Sequence, residues 1–275
     1  MKSIVIKFFL VSFVILLGIW SFGAYIPDGM TYSERIAHGL INGKKAWQKT
    51  GYLSAVPSKD VQSTVWLVGG EYKWPSSAVT MSIVSDNTGD TAAGAGAQIV
   101  NLTYLDSAWS EQSESITLNG TTPVTLAHTV YRVNNFRVAS AGVSNYALGS
   151  IDIRALGGTP IYSRIGAGLT RARNSVYTVP AGKTLWVTGC SYWSGYTTAG
   201  KTERITLHAT YNDVSEVLTS GIFYSYSEAI LMDNGVAYTF PYPYKFPEKT
   251  DIKVSVYGEA TAQILTTIRG HIDTN

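Results

Sequence analysis

Gln98–Val124, QIVNLTYLDSAWSEQSESITLNGTTPV, decides the fold class. Val100, Leu102 and Tyr104 alternate with Asn101 and Thr103, and Ile116 and Leu118 alternate with Ser115 and Thr117. A period of two marks a strand with one buried face, because successive side chains leave a pleated backbone on opposite sides. Leu105–Gln112 reads as a polar connector. Asn119-Gly120 is a strong short hairpin signal, since the pair supplies the two positive φ values that a type I′ turn needs. The segment predicts two strands joined by a connector and a tight turn into a third. It holds no residue set able to make or break a covalent bond.

Strand and turn signals continue from Val65 to the end of the chain. Val79, Met81 and Ile83 alternate with Thr80 and Ser82, and Val130–Ala139 and Ile151–Ile153 follow. Gly157–Asn174 is rich in Gly and Arg and reads as a connector. Beyond it, Ser175–Gly189 opens a second set of strands, turning at Pro180-Ala181-Gly182-Lys183. Ile205, Leu207, Ala209 and Tyr211 alternate with polar residues, as do Ile252, Val254 and Val256, and Ile264–Ile272 closes the chain. Tyr238, Phe240, Tyr242 and Tyr244 share a face, but Pro241 and Pro243 between them lack an amide proton and push that segment to an edge or into an extended arm. About 100 residues per domain is a common size, and the predicted fold is all-β. It comprises two consecutive antiparallel β-sandwich (jelly-roll-like) domains at 61–156 and 175–275, with 157–174 between them.

Two segments precede the strands. Phe8–Pro27 carries no charge and is long enough to cross a bilayer as a helix. Residues 1–29 are read as a membrane anchor, a cleaved signal peptide with Ser21 and Gly23 as its small residues, or a misassigned start ahead of Met30, the anchor fitting the length best. Residues 30–60 read as an arm and linker. A helix is predicted over Thr31–Lys49, capped by Ser33, with Ile36, Leu40 and Trp47 near one face and Gly39 and Gly43 weakening it.

Composition narrows the function classes. Charged residues are 15% of the chain against 45% hydrophobic, and the formal net charge is +2. Nucleic-acid binding needs a clustered basic face, so nucleic acid is not an expected partner. Cys190 is the only cysteine, which excludes an intrachain disulfide and, without converging histidines, a zinc site. His38, His128, His208 and His271 are scattered, and none completes a metal-ligand spacing. Gly94-Ala95-Gly96 and Gly166-Ala167-Gly168 begin like a dinucleotide fingerprint, but neither opens a helix. Asp86-Asn87-Thr88-Gly89-Asp90 has oxygen ligands without the EF-hand spacing, and these are turn residues first. Glu111 and Glu114 are the nearest approach to a glycosidase carboxylate pair. Asn101 and Asn119 match a common glycosylation pattern. No catalytic, metal or cofactor residues are assigned, and no enzyme is expected.

Eighteen tyrosines and seven tryptophans are many for this length. Tyr192, Trp193 and Tyr196, set among Gly189, Gly195 and Gly200, read as an aromatic loop between strands, and Tyr224 and Tyr226 read as a second patch. Such surfaces grip sugars or protein partners, while aromatic residues also fill cores. These five are the candidate contact residues, with a glycan receptor as one possible ligand.

Several segments in order carry a family resemblance. They are AWQKTGY (Ala46–Tyr52), DTAAGAGAQIV (Asp90–Val100), ESITLNGTTPV (Glu114–Val124), YRVNNFRVASAG (Tyr131–Gly142), VYTVPAGKTLWVTG (Val176–Gly189) and FPEKTDIKV (Phe246–Val254). The run Ala46–Ile272 resembles a family of two-domain β proteins of tailed bacteriophages and related environmental viruses, described as virion structural proteins. The resemblance implies a capsid-associated, decoration, fibre or tail-associated role in the virion. Its partners would be other copies of the chain or other virion proteins, and it implies no catalytic residues. The apolar residues 1–29 depart from that pattern: either the start is misassigned or this version is tied to a membrane. The alternative expectation is a membrane-anchored or secreted module binding glycans through the aromatic loop.

Overall fold

A computed structural model describes residues 29–56, 61–195, 201–212, 220–232, 234–258 and 262–274. The chain separates into two units, Met1–Asn42 and Gly43–Asn275. The expected apolar helix falls outside the described residues. Among those described, no helix is long and apolar enough to cross a membrane.

In the first unit a single helix, α1 (Tyr32–Ala37), is described. It is capped by Thr31 rather than Ser33. The Thr31 hydroxyl accepts from the Glu34 amide at 3.3 Å, and the Glu34 carboxylate accepts from the Thr31 amide at 2.7 Å, a reciprocal capping box. The helix is far shorter than predicted. Gly39 adopts a left-handed φ of 69°, which ends it. Lys44–Lys49, predicted to continue the helix, belongs to a strand instead.

The second unit is β structure throughout its described elements. In chain order its strands are β1 (Lys44–Leu53), β2 (Ser63–Thr64), β3 (Met81–Ser85), β4 (Ala97–Leu105), β5 (Glu111–Thr117), β6 (Val124–Thr125), β7 (Arg132–Ala141) and β8 (Ile151–Ala155). There follow β9 (Ile161–Ile165), β10 (Tyr177–Thr178), β11 (Lys183–Gly195), β12 (Glu203–Tyr211), β13 (Tyr224–Leu231), β14 (Gly235–Phe246), β15 (Thr250–Gly258) and β16 (Gln263–Thr274). They form antiparallel sheets in the orders β1-β16-β11-β14, β10-β15-β12-β13 with β2 beside β15, β6-β3-β8-β9, and β5-β4-β7.

Buried apolar residues gather in two main clusters. One draws on the first two sheets, with Leu185, Tyr192, Leu207, Phe246, Val254 and Ile268 among its members. The other draws on the last two, with Met81, Leu102, Phe136, Ile153 and Ile165. Chain order and clusters do not run in parallel. β1 pairs with β16 in unbroken register from Lys44↔Asp273 to Leu53↔Ile264, and β2 pairs with β15. Residues expected in an arm and at the start of the first sandwich are thus built into sheets with the C-terminal strands. β3–β9 lie between them in the chain. Ten ladder positions shared with β16 outweigh the modest helix propensity of Lys44–Lys49.

The opening segment splits in the same way. β4 and β5 form the predicted antiparallel pair, Ile99↔Thr117 to Leu105↔Glu111. The Asn119-Gly120 turn does not make the predicted type I′ hairpin. Only Gly120 has positive φ (56°), and β6 pairs with β3 in a different sheet. The turn carries the chain between sheets because the neighbouring loop holds it. The Gly120 amide donates to the Asp90 carbonyl at 2.8 Å, and the Ser85 amide donates to the Gly120 carbonyl at 3.0 Å.

Candidate functional site

The five predicted contact residues do not form one surface. Tyr192 and Trp193 lie on β11, not in a loop, and strand alternation sends them to opposite sides. Tyr192 is fully buried, its ring set edge-on to Tyr238 at 6.4 Å. Burial pushes its phenol well above the usual tyrosine range, with Cys190 and Ser227 beside the hydroxyl. It is a core residue and cannot touch a partner. Tyr196 lies outside the described residues. Tyr224 and Tyr226 are half-buried on β13. The Tyr226 hydroxyl shares a 2.8 Å hydrogen bond with that of Tyr211, and its ring packs edge-on against Phe246 at 4.9 Å and Tyr244 at 5.6 Å. Tyr226 seals the edge of the core.

Trp193 remains, 54% exposed, and the register gives it neighbours that local sequence does not. Tyr52 on β1 stands opposite Leu265 on β16, Leu265 opposite Trp193 on β11, and Trp193 opposite Gly235 on β14. Leu265 is 37% exposed, so an apolar row crosses the outer face of this sheet near one end. Gly235 is required there. A Cβ at that position would come within 2.2 Å of the indole, so glycine lets the ring lie across β14. Met232 (55% exposed) and Ile230 (71%) are also exposed, just after and on β13, a strand of another sheet. One turn of the ladder inward the face is polar, with Thr50 and Thr267 hydroxyls 3.4 Å apart.

Of the two expectations for the proline-bearing segment, an edge strand or an extended arm, the first holds. β14 is an edge strand. Its register jumps from Val187↔Tyr244 to Gly189↔Thr239, leaving Phe240–Pro243 outside the ladder and Tyr242 87% exposed.

The titratable residues are mostly engaged in structure. Among the described residues, no group of three or more His, Cys, Asp or Glu is placed to hold a metal ion. The 86–90 loop is a backbone clamp. The buried Asp90 carboxylate accepts from Ser85 Oγ at 2.6 Å and from the Ala97, Leu148 and Gly149 amides at 2.8, 2.9 and 2.9 Å. Glu111 pairs with Lys183 at 3.1 Å, while Glu114 accepts from the Ala127 amide at 3.4 Å, so the two carboxylates serve different contacts. His208 lines a polar groove of about 270 Å³ with Ser225, whose hydroxyl is 3.5 Å from its Nδ1. Burial, with Lys253 and Arg204 nearby, lowers the imidazole to about 4. Glu228 in the same groove accepts from the Thr206 hydroxyl at 3.1 Å.

No protein-family model matches the chain, and no curated protein matches its sequence. Among solved structures it is similar to infectious bursal virus-derived T=1 particles, at 12% identity over 84% of this chain and 74% of that one, with a TM-score of 0.20. It is also similar to the VP2 subviral particle of infectious bursal disease virus, at 11% identity over 85% and 77% of the two chains, with a TM-score of 0.19. Likeness at this level carries no argument about what this chain does.

Proposed function

We propose that this chain is a structural protein of a phage-like virion, capsid-associated or part of a decoration, fibre or tail assembly, that acts by protein contact. In this reading the two apolar clusters are the cores of two β-sandwiches, and no catalytic residue, metal or cofactor takes part. One observation carries the reading: the apolar row Tyr52–Leu265–Trp193 on the outer face of its sheet. A contiguous apolar strip on a low-charge surface gains from burial against another protein surface, and aromatic residues dominate the energetics of such contacts. The sequence segments that resemble virion proteins point the same way.

Sedimentation velocity and negative-stain imaging of the full chain test this. A defined oligomer that dissociates in Trp193→Ser is expected, with thermal unfolding of the variant close to that of the parent, because the side chain is exposed. A chain that remains monomeric at high concentration and does not bind virion proteins encoded beside it would refute the proposal.

A further inference from the structure

β1 is an edge strand, paired with β16 on one side only. Its first half borders a cleft of about 370 Å³ whose opposite wall comes from β4, β5 and β7. Among the described residues, four cationic side chains line this cleft (Lys45, Lys49, Arg171 and Lys183), against the single carboxylate of Glu111. Across the whole chain cations and anions nearly balance, 21 to 19, so the surplus here is local. Lys183 is matched with Glu111 at 3.1 Å. Among the described residues Lys49 has no carboxylate partner: its ammonium donates to the backbone carbonyl of Asn134, the side chain is half-buried, and loss of solvation lowers it to about 7. Arg171 and Lys45 are exposed at the rim. A poorly hydrated cation without a counter-charge is unfavourable, and an anion entering the cleft would relieve it.

The cleft also has an aromatic surface. Trp47 and the buried Tyr177 lie edge-to-face with centroids 4.9 Å apart. The exposed amide of Asn135 and the hydroxyls of Thr103 and Thr274 stand around them. Aromatic rings cover the apolar face of a sugar, while amides and hydroxyls meet its hydroxyl groups. The volume is near the lower bound of small-ligand sites, roughly 300–1,000 Å³. It suits one or two sugar rings better than an extended acidic peptide. The cations are also too confined for a nucleic-acid backbone.

We propose that this cleft binds an acidic saccharide, its carboxylate or sulfate held by Lys45, Lys49 and Arg171 and its ring laid against Trp47. The site needs one chain only and does not depend on the assembly reading.

Calorimetric titration of the full chain tests this with 3′-sialyllactose as a carboxylate probe, a heparin disaccharide as a sulfate probe, lactose as a neutral control and sodium sulfate as a bare anion. Saturable binding of either acidic saccharide, with lactose silent, is expected, and which one binds identifies the anionic group. The double variant Lys45→Gln/Arg171→Gln should bind about tenfold more weakly, the scale of losing charge-assisted hydrogen bonds. Glu111→Gln should bind more tightly, a gain that misfolding cannot produce. Four results would overturn the proposal: no acidic saccharide binding, equal binding of lactose, sulfate binding as tightly as the saccharides, or unchanged affinity in the double variant.

Discussion

His208 shows how much of a residue's chemistry comes from its surroundings. In sequence it is one of four scattered histidines; in the structure it is half-buried between Lys253 and Arg204 and lowered to about 4. Free histidine titrates near 6.5, so between pH 6.5 and 4 the unfolded chain takes up a proton that the folded chain refuses. Stability from this residue is therefore full above pH 6.5 and is lost as pH falls through 4. Urea denaturation across that range should show His208→Gln losing less stability on acidification than the parent; parallel pH profiles would contradict this. Tyr192 makes the same point through packing. Its glycine-rich neighbourhood suggested a loop, but β11 runs through it and the next residue, Trp193, takes the exposed side.

At the scale of elements, alternation was readable and partnership was not. β4 and β5 were evident from Val100, Leu102, Tyr104 and Ile116, and all four are buried as predicted. The turn after them was located correctly but assigned the wrong geometry, because contacts from the 86–90 loop decide where the chain goes next. Gly120 is the pivot. Its φ is 56°, and an added Cβ would stand 3.1 Å from Thr88 Cα. Gly120→Ala should therefore cost about 1–3 kcal/mol, measured by urea denaturation, combining left-handed strain with a tight backbone contact. A neutral effect would mean that the loop moves aside freely. β1 teaches the converse: Lys44–Lys49 carries helix-compatible residues, and pairing with a distant strand overrides them.

Across the second unit, a buried ion pair ties β7 to β15. Arg132 donates from Nε and Nη2 to the two carboxylate oxygens of Asp251, each at 2.9 Å, and from Nη1 to the Pro75 carbonyl at 2.8 Å. Asp251 also accepts from Asn212 at 2.7 Å and Thr178 at 2.5 Å. The guanidinium sits over Tyr131 at 4.1 Å, with Trp109 and Trp74 at 5.1 and 5.3 Å. Removing one partner strands the other charge, so Arg132→Ala or Asp251→Ala should cost about 3–5 kcal/mol. In these single variants denaturation is expected in two separate transitions as the clusters uncouple. Arg132→Met/Asp251→Leu, which removes both charges, should cost less than either single change, and an additive double variant would show that the two residues act independently.

The sequence by itself determined the all-β character, the alternating buried faces, the edge position of the proline-bearing strand and the weakness of the helical arm. These properties depend on neighbours within a few residues, where a period of two, a proline or a glycine acts directly on the backbone. Only the tertiary structure decided which strands share a sheet, that β1 closes onto β16, that Tyr192 is buried while Leu265 joins Trp193 on the surface, and that four cations border one cleft. Those depend on register between segments up to 229 residues apart, as Lys44 and Asp273 are. Register is chosen by the summed burial of whole sheet faces, to which any one strand contributes only a part.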